Sequence, residues 1–177
     1  AALTDRSVLA EFVDKSIAAK TIDSVFEYWV NSLLSGPKTH IVNTVSNSYT
    51  AALVPAEYSA AARIGKIFGP MGKDVVEPGE ALAQYYGQLM AFKEATKNFG
   101  HAFATGEKSA WGVSKVDWQR IPAISSTNWN IRADSNFAKA VDALGAVVTV
   151  PGRALGAEDE FFKTIAYRAS LHQQAYR

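Results

Sequence analysis

The sequence predicts an all-α protein, a bundle of five or six helices with one long Trp-bearing loop. Apolar residues recur at spacings of three and four nearly everywhere, strict alternation is absent, and Pro and Gly fall between the periodic runs. With 177 residues, 48% of them hydrophobic and 20% charged, there is material for one sizeable core. A single domain over residues 1–177 is expected, with 106–133 as a long loop or arm within it.

The first predicted helix runs from about Thr4 or Asp5 to Lys20, with Val8, Leu9, Phe12, Val13 and Ile17 on one face. The second is the clearest: Ile22, Val25, Phe26, Trp29, Val30, Leu33 and Leu34 follow i, i+3, i+4, i+7, i+8, i+11, i+12. Gly36 then suits a left-handed C′ position and Pro37 the first turn of a new helix, which together predict a tight helix hairpin. The third helix carries Ile41, Val45, Tyr49 and Ala52 on one side. Pro55, which lacks an amide donor, is expected to kink or restart it. Beyond Pro55, Ala61 to Gly65 is a small-xxx-small step that lets another helix approach closely.

GPMGKDVVEPGE reads as a loop. A long helix follows, about Pro78 to Thr105, in which Leu82, Tyr85, Leu89, Phe92, Thr96, Phe99 and Phe103 step alternately by three and four. That is a heptad seam with one polar interruption, and it calls for a partner helix along most of its length. Periodicity stops from Gly106 to Ala133, so this stretch is either an ordered loop pinned by its Trp rings or an extended arm. Asp134 or Ser135 can cap the next helix, with Phe137, Val141, Leu144 and Val148 in one stripe. Gly156 is expected to separate off the last helix, where residues 158 to 160 would lie in the first turn and complement the helix dipole. Its buried face is expected to be Phe162, Ile165, Ala166 and Ala169, with Asp159 and Lys163 paired at i, i+4.

Composition excludes several function classes. Eighteen basic against seventeen acidic residues leave a net charge of +1, so no global field draws the chain onto nucleic acid or an anionic membrane. There is no Cys, hence no disulfide framework and no thiolate nucleophile. The three His stand on different predicted helices without HExxH or Glu-x-x-His pairing, and no metal or cofactor site is expected. Walker, GxGxxG and GxSxG strings are absent. The N-terminal AALTDRSVLAEF has neither a start Met nor a signal pattern, which suggests a piece of a longer chain.

Three constellations remain. His40, Asn43 and Asn47 lie at i, i+3 and i+7 on one helix face. Catalysis there needs an acid or hydroxyl oriented against His40, and none is near in sequence, so these groups are expected to satisfy buried polar partners, with Thr39 bonding the turn. Between residues 108 and 132, Lys108, Lys115, Arg120 and Arg132 are interleaved with Trp111, Trp118 and Trp129. Such a composition can stack and neutralise single-stranded nucleic acid, but it equally describes a loop anchored by its rings, which is the favoured expectation. Ile41 to Ala62 contains one charged residue, Glu57, yet its Asn, Ser and Thr content and Pro55 favour a packed helix over a membrane span.

The string WVNSLLSGPKTHIVNTVSN, Trp29 to Asn47, resembles the SGP-x-TH-x-x-N hairpin of large phage and prophage proteins. The end, EDEFFKTIAYRASLHQQAYR, is similar to their DEFFK-x-x-x-YR-x-x-L-H ending. Those are internal virion or DNA-ejection proteins and very large polyvalent proteins. The matching positions are Gly36, Pro37, Thr39, His40, Asn43 and Asn47 with Asp159, Phe161, Phe162, Lys163, Tyr167, Arg168 and His172, and the resemblance gives them an architectural role. It implies a non-enzymatic structural and interaction module of such a protein, located in the virion and in the host cytoplasm during assembly. Its implied partners are the rest of the parent polypeptide, other virion proteins and further copies of itself. DNA contact through the Trp loop and membrane activity through Ile41 to Ala62 are the alternatives. The two motifs are expected to meet in space, with Arg168 and His172 facing polar residues of the third helix.

Overall fold

The computed structural model describes residues 17–69, 76–106 and 122–177. Among them every regular element is helical: α1 (Ile17–Leu34), α2 (Pro37–Phe68), α3 (Pro78–Thr105), α4 (Asn136–Val148) and α5 (Val150–Tyr176). The expected helix from Thr4 or Asp5 lies outside the described residues except for its end. So do Lys108, Trp111, Lys115, Trp118 and Arg120 of the long loop. The chain divides into two compact units. Unit 1 comprises Ala1–Gly36 and Asp117–Gly152, and unit 2 comprises Pro37–Val116 and Arg153–Arg177.

Unit 1 is held by the polar face of α1. Ser24, Glu27 and Asn31 stand at i, i+3 and i+7. Ser24 Oγ donates to the Ala123 carbonyl (3.1 Å), and Glu27 Oε2 accepts the Ile124 amide (2.9 Å). Asn31 Oδ1 accepts the Gly152 amide (3.0 Å). The loop from 122 to 135 folds back on itself, since Ala123 also accepts from Asn128 Nδ2 (2.9 Å) and from the Trp129 indole (3.1 Å). Asp142 on α4 accepts both the amide (2.6 Å) and the hydroxyl (2.8 Å) of Ser126. Those two bonds hold its carboxyl below the ordinary carboxylate range against a small opposing effect of burial. Ser135 is the N-cap of α4, its Oγ accepting the Ala138 amide at 3.0 Å. At Gly145 a Cβ would stand 1.8 Å from the Ile124 carbonyl oxygen, so this glycine lets the loop lie directly on α4.

Unit 2 is built from α2, α3 and most of α5. The buried face of α3 is a stripe of small and polar residues, Ala81, Gln84, Gly87, Ala91, Ala95 and Ala102. Ala91 and Ala95 pack with Ile165 of α5 and the half-buried Phe161. Small residues let the backbones approach: a Cβ on Gly87 would meet the Arg168 carbonyl oxygen at 2.7 Å and the Ala169 Cα at 2.9 Å.

Several local expectations are corrected. No break occurs near Lys20, because α1 runs on through it, Thr21 Oγ1 donating back to the Ile17 carbonyl at 2.9 Å. Gly36 is not left-handed; among the described residues the left-handed glycines are Gly69 and Gly106. The turn after α1 closes instead at Ser35, whose amide and hydroxyl both donate to the Ser32 carbonyl, and Pro37 biases the residue before it toward extended backbone. Pro55 neither ends nor restarts α2, which is one helix of 32 residues with Pro55 buried. Gly156 lies within α5, which starts at Val150, so residues 158 to 160 sit two turns in and cannot compensate its N-terminal dipole.

The largest departure concerns which faces are buried. The heptad seam of α3 is exposed, Leu82 at 70%, Leu89 at 74% and Phe92 at 60%, whereas Glu80 is at 0% and Gln84 at 3%. On α1, Ile22, Val25, Phe26, Trp29 and Leu33 are likewise exposed, as are Ile41, Val45 and Tyr49 on α2. Phe162 of α5 is half-buried and Ala166 exposed, so only Ile165 and Ala169 of its expected face are buried. In each unit the polar or small face of the helix is turned inward.

Candidate functional site

The polar groups of unit 2 form two hydrogen-bonded relays. In the first, His40 Nδ1 and Glu158 Oε1 stand 2.9 Å apart. Asn43 Nδ2 donates to the other Glu158 oxygen (2.8 Å), and Asn47 Nδ2 donates to Asn43 Oδ1 (3.0 Å). Helical spacing on α2 puts all three side chains on one face, and α5 presents Glu158 to it. The motifs around His40 and around Asp159 therefore do meet.

In the second relay, Glu80 Oε2 accepts Gln173 Nε2 (2.8 Å), and Gln173 Oε1 accepts Gln84 Nε2 (2.6 Å). Glu80 Oε1 also takes the Glu77 amide and the Arg177 guanidinium, each at 3.0 Å. Burial raises the Glu80 carboxyl, but the bonds from Gln173, the Glu77 amide and Arg177 outweigh it and hold the group below its ordinary 4.5. Glu80 is the N3 residue of α3, so its charge also lies where the helix dipole favours an anion.

Between the relays sits a clamp whose origin is Pro55. A proline lacks the N–H that would bond the carbonyl four residues back, which here is Ala51. Gln88 Nε2 of α3 donates to that carbonyl at 2.8 Å, joining α2 to α3 at the point where α2 lacks its own bond.

Of the other expected residues, Asp159 and Lys163 form their i, i+4 pair at the surface. Phe161 packs edge-on against Phe92 (centroids 5.6 Å) and against Phe162 (5.2 Å). Thr39 is half-buried in the first turn of α2, and Tyr167 is exposed. Arg168 and His172 do not face α2. Arg168 pairs with Glu94 of α3 at 2.7 Å, while the His172 ring lies edge-on to Tyr86 (5.5 Å) and bonds the Arg168 carbonyl (2.9 Å). They stand more than two turns beyond Glu158, opposite α3. In unit 1, Trp129 is half-buried with its indole donating to Ala123 and to Ser24 Oγ, which makes it an anchor, whereas Arg132 is exposed.

Glu80, Gln84, Gln88 and Gln173 carry the site without having been singled out in the sequence, and Glu158, expected only as a dipole group, carries it as the partner of His40 and Asn43. The signal for Gln84 and Gln88 is their i, i+4 spacing on α3, beside the heptad seam rather than on it. The acid partner that catalysis by His40 would require is present as Glu158, but its second oxygen is engaged by Asn43. Among the described residues no group of three or more His, Asp or Glu could hold a metal ion. No helix among them is by itself long and apolar enough to cross a membrane. Family models, curated proteins and solved structures all give no match to the chain.

Proposed function

We propose that this chain is a non-enzymatic structural and interaction module that assembles through helix packing, part of a phage internal virion or DNA-ejection protein. The observation that carries the assembly role is the outward orientation of the apolar stripes of α1, α2 and α3, foremost the Leu82, Leu89 and Phe92 seam. Exposed apolar faces of this extent mark surfaces that partners cover. Fully burying one Leu or Phe side chain contributes about 1.5–3 kcal/mol, so a seam of several supports a stable interface. The inward relays give each helix a fixed orientation at little cost in apolar area, leaving the stripes for neighbouring copies or for the rest of the parent chain. The phage assignment rests on the two sequence motifs, and the bond from His40 and Asn43 to Glu158 gives those motifs a shared architectural purpose.

Sedimentation of the chain with and without short single-stranded DNA, together with flotation on anionic liposomes, tests this role. The expected result is an oligomer whose mass is indifferent to DNA and which stays at the bottom of the flotation gradient. A monomer that gains mass with DNA and loses it in salt would replace assembly by nucleic-acid contact, and flotation would replace it by membrane activity.

A further inference from the structure

From Leu82 to Phe103 the outward residues of α3 step alternately by three and four, which places Leu82, Leu89, Thr96 and Phe103 at a and Tyr85, Phe92 and Phe99 at d of a heptad. A helix keeps such a seam in continuous contact only with another helix that supercoils beside it, so the pattern specifies a helical partner rather than a flat surface. Among the described residues, α2 and α5 pack chiefly on the small and polar side of α3, and the apolar seam residues stay exposed, from 36% at Phe99 to 74% at Leu89. At roughly 200 Å² for a large side chain, these residues and Tyr86 beside them leave roughly 750 Å² uncovered on each copy. A standard stable interface takes about 800 Å² from each partner, so one seam laid on an identical one suffices.

The seam is complementary to itself when reversed. In an antiparallel pair each a residue faces a d residue. The register that sets Leu82 on the second copy's Phe99 continues with Leu89 on Phe92 and Tyr85 on Thr96. Every Leu then meets a Phe, and the two residues that carry hydroxyls meet each other. Thr96 Oγ1 donates its proton to the Phe92 carbonyl at 2.8 Å and is left to accept, while the Tyr85 phenol makes a long bond of 3.5 Å to the Ala52 carbonyl and can donate. The same register places the exposed Lys93, at an e position, beside the second copy's Tyr86, an ammonium against an aromatic face. Sliding by one heptad toward the C-terminus sets Phe92 on Thr96 and Lys93 against Lys93. Sliding the other way leaves Phe99 and Phe103 beyond the end of the facing α3. A parallel pair stacks Phe on Phe at three layers and sets the committed Thr96 hydroxyls against each other.

Resting on the assembly role proposed above, we infer that its partner at α3 is a second copy of this chain, joined as an antiparallel two-fold coiled coil with Leu82 facing Phe99, Tyr85 facing Thr96 and Leu89 facing Phe92.

Spin labels test the orientation. The chain has no Cys, so Lys97→Cys and Ala104→Cys each give one label site, and both positions are exposed and off the seam. An antiparallel pair moves the two labels apart by twice the helical rise per residue, so the distance between copies should be about 20 Å longer at position 104 than at position 97. Equal distances at the two positions would overturn the antiparallel pairing, and an oligomer in which neither label senses its counterpart would place assembly elsewhere than α3. Either result leaves the assembly role standing, whereas a chain that stays monomeric overturns both. The register is tested by exchange across one layer. Leu82→Phe and Phe99→Leu should each weaken association about tenfold, and the double variant, which restores one Leu and one Phe to the layer, should return to within about threefold of the parent. Losses that simply accumulate in the double variant would overturn the assigned register.

Discussion

Pro55 and Gln88 offer a sharp energetic test, because the structure makes one the reason for the other. Replacing Gln88 by Met keeps the side-chain length but removes the donor to the Ala51 carbonyl, a bond of 2.8 Å. Leaving a buried carbonyl unpaired costs about 1–3 kcal/mol. Ala51 and Gln88 are both half-buried, so water can take up part of the loss and the expected cost is near the lower end, about 1 kcal/mol. In a Pro55→Ala background the restored amide at position 55 supplies the Ala51 carbonyl from within α2, and Gln88→Met then loses little. The four proteins of this cycle, unfolded in urea and followed by far-UV circular dichroism, should show a coupling of about 0.5–1 kcal/mol between positions 55 and 88. A Gln88→Met penalty that is the same in both backgrounds would refute the inference that Gln88 replaces the bond missing at Pro55.

Other outcomes follow from the same packing. Gly87→Ala and Gly100→Ala both gain about 1 kcal/mol of helix propensity on α3, but only the first sets a Cβ 2.7 Å from a backbone oxygen, with nothing within 4 Å at Gly100. Overpacking of about 1–3 kcal/mol should therefore make Gly87→Ala destabilising and leave Gly100→Ala stabilising, read as midpoints of urea unfolding. The folded Glu80 carboxyl titrates below its ordinary 4.5, so its contribution to stability is complete above that pH and is lost as pH falls through the lower folded value. Acid unfolding curves of Glu80→Gln should accordingly show a shallower loss of stability below pH 4.5 than the parent chain. In unit 1, Trp129→Phe removes the indole donor to the Ala123 carbonyl and should cost about 0.5–1.5 kcal/mol in thermal unfolding while the helical content is kept.

Helix content was legible in the sequence because periodicity of three and four is a strong local signal. The span Pro78–Thr105 is correct to the residue, framed by Pro78 at its first turn and a left-handed Gly106 at its end. Ser135 likewise advertised its cap. Boundaries are hardest to place where a local breaker is overridden: of the two outcomes expected at Pro55 the restart does not occur, α2 running on with Gln88 at the carbonyl that lacks its bond, and Gly156 lies in mid-helix without ending it. The inward face was not legible. Periodicity shows that α1 and α3 each have an apolar stripe, but a stripe covered by a partner molecule and one covered by the chain's own core have the same spacing. The small stripe of Ala81, Gly87, Ala91 and Ala95 was the discriminating signal, since small residues permit the close backbone approach seen at Ala169. The sequence expects His40, Asn43 and Asn47 to form a polar face with buried partners, and Glu158 is the partner of the first two. With the last helix expected to begin at Gly156, the sequence makes this acid a dipole group instead; the helix begins at Val150.

The assembly role is tested most directly by the solution mass of the chain over a concentration series, alongside a variant carrying Leu82→Gln, Leu89→Gln and Phe92→Gln. The parent chain should exceed its 19.1 kDa monomer mass and grow with concentration, while the variant stays at the monomer mass with unchanged helical content. A parent chain that remains at 19.1 kDa throughout, or a variant that associates as strongly as the parent, would contradict the claim that the outward seam of α3 is an assembly surface.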